Sequence, residues 1–519
     1  MLLSAGIPAV RGATPTDIDS AIAKGLSYLA SNQNPDGSWS GAPVASTAMA
    51  VLAFENNGHY GWDSSDTYHT TVQNGLNWLF SDAYTQTING ANSAGNPDVS
   101  GDGYGIWWGS DGYGNSVYET PMVLAAIIAS NSQTQVTTTG PTGVVGLTYS
   151  HVAQDIVDWI AWAQNSKPGC CGVYEGGWRY SPQSGDSDNS VSQWPVMGLL
   201  AAQLWGINAP SWVGTELLKW TTSDQELTGT PTTNPTYGAF DYTPGRQLSP
   251  AETAAGILEL TYAGVPDTDS RIQAAEGYLY ADWGATLFGP AGYSYDGEYG
   301  WNFNIGALYD MYSVMKAMTD TTPTPTTYIP NYADTASIEW YNGAGQYADS
   351  LIANQGTDGH WNNWVSWAEN GDVSNNLGTA WGILILEYVP VVVTYTLEVD
   401  VVNNVGNPIS GATVGAVGPT TLGGTTDASG KAVFNDVQAG TYDVTASMSC
   451  YTSASQEVDL DKSTVVKLTL EPGSCTGVGV PEFGASSSVM VVAALCAFLV
   501  LLMGSKSPMR SKKPQINTR

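Results

Sequence analysis

Apolar positions recur along this chain in two different periods, and the change of period divides it. Starting at Lys24, the run GLSYLASNQNPDGSW places Gly25, Tyr28 and Leu29 at helical spacing. Gln33 follows, then a turn at Asn34-Pro35-Asp36-Gly37, then Trp39. A second helix is predicted from about Ser46 to Phe54. The pattern returns at Gly75-Leu76 and Trp78-Leu79 with a helix near Thr120 to Ala129, and at Trp159-Ile160 with Gln164, Gly177 and Trp178. It returns more loosely at Leu217 to Trp220 with a helix over Thr253 to Tyr262. Glu276 to Leu279 with Trp301 to Met318 makes a fifth copy, and Leu351, Gln355, Gly359 and Trp361 with Thr379 to Tyr388 a sixth. One helical hairpin of roughly 50 to 65 residues cannot bury its apolar face alone, so the copies must stack on one another.

From Thr394 to Pro472 the period drops to two. TYTLEVDVVN, SGATVGAV, GTYDVTASM and STVVKLTL are short β-branched runs between Gly, Asn, Pro and Asp turns, which predicts a small antiparallel sandwich. Periodicity then vanishes over Val489 to Met503, an unbroken apolar run. With Gly484 to Ser488 it reaches the length of a membrane-spanning helix. Lys506, Arg510, Lys512, Lys513 and Arg519 follow it with no acid among them, which places the C-terminus in the cytoplasm and the large body outside. A buried core helix is the competing reading of the apolar run. Residues 1–13 resemble the tail of a signal peptide with a cleavage point near Ala13.

Lys24-Gly25, Tyr28-Leu29, Gln33 and Gly37-Ser38-Trp39, and again Leu351, Gln355, Gly359 and Trp361, resemble the Gln-Trp repeat motif of the squalene cyclase and protein prenyltransferase superfamily. The resemblance implies a six-repeat (α/α)6 toroid over residues 14–390. It also implies that Gln33, Gln164 and Gln355 cap the following helix while Trp39, Trp178 and Trp361 stack beneath it. Gly411-Ala412-Thr413-Val414, Thr426 to Lys431 and Ala439 to Tyr442 resemble carboxypeptidase regulatory-like domains, which implies a transthyretin-like or Ig-like sandwich over residues 394–472. No peptidase residues accompany it. Val480-Pro481-Glu482-Phe483 within a 473–488 linker, followed by a transmembrane helix at 489–504 and a basic tail at 505–519, resembles the sorting signals of archaeal surface proteins. That resemblance implies an archaeosortase-like processing enzyme as a partner; a permanent helix anchor is the alternative.

Charge narrows the partners. The chain has 519 residues and a formal charge of −31, yet only 12% of its residues are charged, so the surface must be built from Ser, Thr, Asn, Gly and Tyr. Such a surface argues against nucleic acid as a partner.

Candidate chemistry centres on acids and aromatics. Tyr174 to Trp205 joins a Gly-Trp turn, an acidic loop and an apolar helix. In it Asp186-Ser187-Asp188-Asn189 is similar to the Asp-x-Asp-Asp motif of the cyclases, whose working acid stands two residues before a Thr-Ala pair. The pairs here are Thr47-Ala48, Thr253-Ala254 and Thr379-Ala380, with Thr120-Pro121 and Trp194-Pro195 as variants. Two residues before these stand Ala45, Ala251, Leu377, Tyr118 and Ser192, none of them acidic. Asp186, Asp188 and Glu252 are the candidate catalytic acids, with helix capping as the competing role for the aspartates and the helix macrodipole for Glu119 and Glu252. Trp107, Trp108, Tyr180, Tyr237 and Trp301 are candidate binding residues at a rim of the toroid.

The four histidines His59, His69, His151 and His360 stand near no cysteine in the zinc pattern of the prenyltransferases, and Asp98 to Gly103 reads as an ordinary Gly-Asp turn. No metal or cofactor is expected. Cys170 and Cys171 are read as a vicinal disulfide or free thiols, Cys450 and Cys475 as a structural disulfide outside the cell, and Cys496 as unpaired within the span. The expected function is a membrane-anchored surface protein that binds a glycan, lipid or protein without catalysis. The alternative is an enzyme, either an isoprenoid cyclase using acid catalysis or a polysaccharide-cleaving toroid.

Overall fold

The computed structural model describes residues 12–473 apart from 89–91, 167–170, 284–307, 321–325, 327, 333–335, 363–374, 389–393, 419–420, 439 and 461. It divides into two compact units, Met1–Pro390 and Val391–Arg519. Residues 480–483, the apolar run and the basic tail lie outside the described residues, as does nearly all of the expected signal remnant. Among the described residues no helix is long and apolar enough to cross a membrane.

Helices of the first unit alternate between two kinds. α1 (Pro15–Ser31), α3 (His69–Ser81), α7 (Trp212–Asp224), α9 (Ser270–Asp282) and α11 (Tyr347–Asn354) bury one face; in α1 it is Ile18, Ala21, Ile22, Gly25, Leu26 and Leu29, while α5 (Tyr149–Ala163), in the same place in its hairpin, is also covered all round from Asp155 to Ala161. α2 (Pro43–Asn56), α4 (Ser116–Ala129), α6 (Asn189–Gln203), α8 (Pro250–Tyr262), α10 (Leu308–Thr319) and α12 (Asn375–Leu386) are buried almost all round; α2 buries every residue from Val44 to Glu55. A helix without a polar face must be surrounded by protein, and these six are. α2 packs on α4, α4 on α6, α6 on α8, α8 on α10, α10 on α12 and α12 back on α2, a closed cycle with the one-faced helices against its members. Gly198 of α6 lies where any Cβ would press on Pro121 of α4, which accounts for the close approach of that pair.

One clamp recurs between successive hairpins at four places. Gln33 Nε2 donates to the carbonyls of Gly37 and of Thr71 in α3, both at 2.9 Å. Gln164 does the same to Gly176 and Val213 of α7, and Gln355 to Gly359 and Ala21 of α1, which joins the last hairpin to the first. Gln225 is a further clamp that sequence reading missed, donating to Gly238 and to Arg271 of α9. Gly37, Gly176, Gly238 and Gly359 all have φ between 98° and 103°. In each a Cβ would overlap a backbone carbonyl of the next outer helix, so only glycine fits.

The aromatic partner of each clamp is held from both ends. The ring N–H groups of Trp39, Trp108, Trp178 and Trp361 donate to the carbonyls of Leu29, Leu79, Ile160 and Leu351 at 2.6–3.0 Å. Their backbone N–H groups donate to the hydroxyls of Thr47, Thr120, Ser192 and Thr379 on the inner helices, and Phe240 takes the same place with Thr253. Two sequence readings are corrected by this. The third copy aligns on Ser192 rather than Trp194, which puts Ser190 at the position two residues before it. Trp108 is a fully buried clamp and so cannot line a binding mouth.

The second unit is two four-stranded sheets. β9 (Thr413–Val417), β10 (Thr421–Thr425), β12 (Gly440–Ser447) and β14 (Ala454–Leu460) run in the order β10-β9-β12-β14. β8 (Thr394–Asn403), β11 (Lys431–Gln438), β13 (Tyr451–Thr452) and β15 (Thr464–Pro472) run in the order β11-β8-β15-β13. β8 and β15 pair in parallel, which corrects the wholly antiparallel expectation. Leu397, Val399 and Val401 of β8 meet Val466, Leu468 and Leu470 of β15 in the core, as the period of two requires.

Candidate functional site

The first turns of α4, α6 and α8, with the segments leading into them, bring one charged and aromatic cluster together. Asp188 caps α6, accepting from the Val191 N–H at 2.9 Å and the Ser190 hydroxyl at 2.6 Å. Its other oxygen accepts from Arg179 Nη1 at 2.6 Å. Burial pushes the fully enclosed Asp188 carboxyl up to about 6, against the opposing pull of Arg179.

Arg179 lies over the rings of Tyr180 and Tyr242, at 5.1 and 5.3 Å from their centroids. Those two hydroxyls meet at 3.2 Å, and Tyr118 stands edge-on to Tyr180 at 6.2 Å. Asp186 reaches the same guanidinium at 3.4 Å, with a side chain 49% exposed. Arg179, Tyr118, Tyr180 and Tyr242 are all half-buried. Behind it Asn189 donates to the Asp224 carboxylate and to the Asp241 carbonyl, and accepts from the Trp220 ring N–H at 2.8 Å. Burial raises the Asp224 and Glu259 carboxyls well above the ordinary range, with Asp241 and Asp188 adding to the shifts.

The interior between α6, α10 and α12 is closed by rings. Trp194, Tyr309, Tyr312 and Trp381 are all buried; Trp194, Tyr312 and Trp381 stack at 5.8–6.4 Å, and Tyr309 lies tilted against Trp194 and Trp381 at 6.4 and 6.1 Å. The Tyr309 hydroxyl accepts from Gln193 and donates to the Ser190 carbonyl. An acid-catalysed cyclisation needs an empty apolar cavity facing its acid. Here Asp188 is engaged by three donors, and the four rings pack against one another between α6, α10 and α12.

The structure thus brings together Asp186, Asp188 and Tyr180 of the sequence candidates. Glu252 sits in the first turn of α8, and its charge bears on Tyr309 in the core. Trp107 is 6% exposed, stacked at 4.5 Å between Tyr84 and Tyr113. Tyr237 is half-buried in the turn before Gly238, and Trp301 lies outside the described residues. Sequence reading missed Arg179, Tyr118 and Tyr242. Arg179 carried a signal: basic residues number only 16 in the chain, and this one directly follows a clamp tryptophan. Cys171 and Cys450 are each disulfide-bonded; Cys170 and Cys475 lie outside the described residues.

Comparison with known proteins adds one assignment. Residues 396–471 match the family described as carboxypeptidase regulatory-like domain. This is the sandwich, as its sequence motifs implied. No curated protein matches the chain. Among solved structures, the Bacillus anthracis TIE protein is similar over 15% of this chain and 16% of its own, at 19% identity and a TM-score of 0.14.

Proposed function

We propose that this chain is a surface-displayed saccharide-binding protein, whose ring is a toroid of the squalene cyclase and protein prenyltransferase type that recognises its ligand at the rim and does not catalyse. The observation that carries this reading is the half-exposed Arg179 stacked on Tyr180 and Tyr242 beside the exposed Asp186 carboxylate. Tyrosine faces accept the C–H faces of sugar rings, and a guanidinium and a carboxylate supply the opposite halves of hydroxyl recognition. An isoprenoid substrate would need dry apolar space, and the four packed rings between α6, α10 and α12 weigh against that.

Disulfides at Cys171 and Cys450 support an oxidising compartment, which agrees with display outside the cell. In this reading the carboxypeptidase regulatory-like sandwich is the spacer, and the apolar run at 489–503 is the anchor. An archaeosortase-like enzyme exchanges that anchor for a lipid at the Val480 to Phe483 motif.

A glycan array probed with the full chain tests the ligand class. Tyr242→Ala and Tyr180→Ala are each expected to weaken the best-bound saccharide at least tenfold, while Trp62→Ala, on the surface elsewhere, leaves it unchanged. Cyclised product from a squalene-type polyene, lost in Asp188→Asn, would replace this reading by acid catalysis.

A further inference from the structure

The clamp series has a gap, and a cluster of metal-ligand atoms fills it. Gln33, Gln164, Gln225 and Gln355 each stand one or two residues after the end of an outer helix. After α3 the corresponding residues are Asp82 and Ala83, so no clamp glutamine reaches the start of α5; the hairpin meets the later part of that helix instead, where Gln86 accepts from the Trp159 ring N–H at 3.2 Å and Asn92 donates to the Ala161 carbonyl at 3.2 Å. Three of the clamps land on the second or third residue of the next outer helix: Thr71 in α3, Val213 in α7 and Arg271 in α9. The third residue of α5 is His151.

His151 Nε2 lies 3.2 Å from Asp102 Oδ2, in the turn that leads into β2 (Tyr104–Trp107), and 3.6 Å from Asp155 Oδ2 one helical turn further along α5. One donor atom from each of Asp102, His151 and Asp155 lies within 4.8 Å of the other two. Spacing of i and i+4 puts His151 and Asp155 on one face of the helix, and the turn brings Asp102 over that face. The turn is itself pinned. Asp98 accepts from the N–H groups of Gly101 and Gly103, Asp102 Oδ1 from that of Tyr104, and Asp158 of α5 from that of Ser100 at 2.9 Å.

A second, independent feature points to a ligand. The Asp155 side chain is 2% exposed, and its Oδ1 has no hydrogen-bond partner. A buried carboxylate whose neighbours are a histidine edge and other carboxylates lacks the positive charge that normally accompanies such burial.

We propose that Asp102, His151 and Asp155 bind a first-row transition-metal dication of the Zn2+ or Mn2+ class, which fastens the turn before β2 to the first turn of α5, where no clamp glutamine stands. One imidazole nitrogen and two carboxylate oxygens suit such ions, whereas Ca2+ asks for six to eight oxygens and Mg2+ keeps most of its water. The Asp102 and His151 side chains are 36% and 42% exposed, which leaves the outer coordination positions to water. Asp98 and Asp158, holding the turn, are the outer residues that set the Asp102 position. The turn read from sequence as an ordinary one thus gains its function from α5, some fifty residues away.

The test is titration of the chelator-stripped full chain with ZnCl2 and MnCl2 by calorimetry, with thermal melts run in parallel. The expected result is one saturable equivalent that raises the melting midpoint. His151→Ala and Asp155→Asn each weaken it at least tenfold, whereas His360→Ala, which removes the surface His360–Asp358 pair, does not. Absence of saturable binding in the wild type, binding of Ca2+ or Mg2+ in preference, or equal binding by His151→Ala overturns the proposal. Asp155→Asn places a neutral side chain in the core, so should it fail to fold, His151→Ala at the surface still decides. A midpoint that chelator lowers in the wild type and leaves alone in His151→Ala separates metal bridging from a merely structural histidine.

Discussion

The helical ring and the sandwich are each built on an apolar core but treat charge in opposite ways. In the ring Glu55, Glu119, Asp188 and Glu259 are all at most 1% exposed. In the sandwich, among the described residues, no charged side chain is buried; Glu398 and Asp400 sit on the outer face of β8, where Lys431 pairs with both. Two-sheet geometry sends alternate residues outward, so a strand can keep every second position charged at no desolvation cost. Inner helices have no outward face, and a polar residue there must find partners inside. The ring's polar groups consequently go into clamps and caps, while the sandwich keeps its charges on its outer faces.

The comparison breaks most decisively at the clamp glycines. Gly176→Ala forces a Cβ into the Glu216 carbonyl at φ 103°, so the strain cannot relax without moving α7. It is expected to cost upward of about 4 kcal/mol, the range reserved for changes that a packed backbone cannot absorb. All 19 tryptophans lie in the first unit, so the loss is read by tryptophan fluorescence during denaturation. A cost within about 1 kcal/mol would mean that the clamp is loose.

Proton linkage gives the next largest difference. Burial raises Glu119 to about 7 and Glu387 to about 8, and holds Glu55 and Glu259 well above the ordinary range. For an acid whose folded value is raised, the folded state holds the proton more tightly. Stability is then full below about 4.5 and is lost as pH climbs through the folded values. The melting midpoint of the ring should therefore fall between pH 4.5 and 8, whereas the sandwich, with no buried acid among its described residues, should hold level. Glu119 accounts for about 3 kcal/mol of the fall. Gln at 119 can keep both Ser110 contacts, since its oxygen accepts the N–H and its amide donates to the hydroxyl. Glu119→Gln should accordingly be the more stable form at pH 8, and a ring midpoint that stays flat with pH would contradict the assignment.

Most of the ring was legible because its motif is local. Gln33, Gly37 and Trp39 sit within seven residues, as do Gln355, Gly359 and Trp361, and periodicity supplied the helices. Gln225 escaped because its glycine comes thirteen residues later and its tryptophan is Phe240. Trp194 was aligned in place of Ser192 because a proline follows it, as one follows Thr120; only the hydrogen bond from Trp178 reveals the true register. Of the rim, Asp186, Asp188 and Tyr180 were read because they crowd one loop. Tyr118 and Tyr242 come from other hairpins, and nothing in a single sequence says which loops share a rim. The cluster of Asp102, His151 and Asp155 was hidden for the same reason.

At the small end, two changes in the sandwich measure how forgiving an open sheet is. Gly411 has φ 77°, the same left-handed region as Gly176, but a Cβ built there meets nothing within 4 Å. Gly411→Ala should cost about 1 kcal/mol, the conformational term alone, against the several expected where a carbonyl stands in the way. Lys431→Ala removes both pairs with Glu398 and Asp400, but all three side chains are partly open to water, where such pairs contribute little. Its denaturation midpoint, followed by the circular dichroism of the sandwich, should match the wild type within error. A clear loss from Lys431→Ala would mean that β8 and β11 depend on charge rather than on the Leu397, Val399 and Val401 face, and the contrast with the ring would lose its basis.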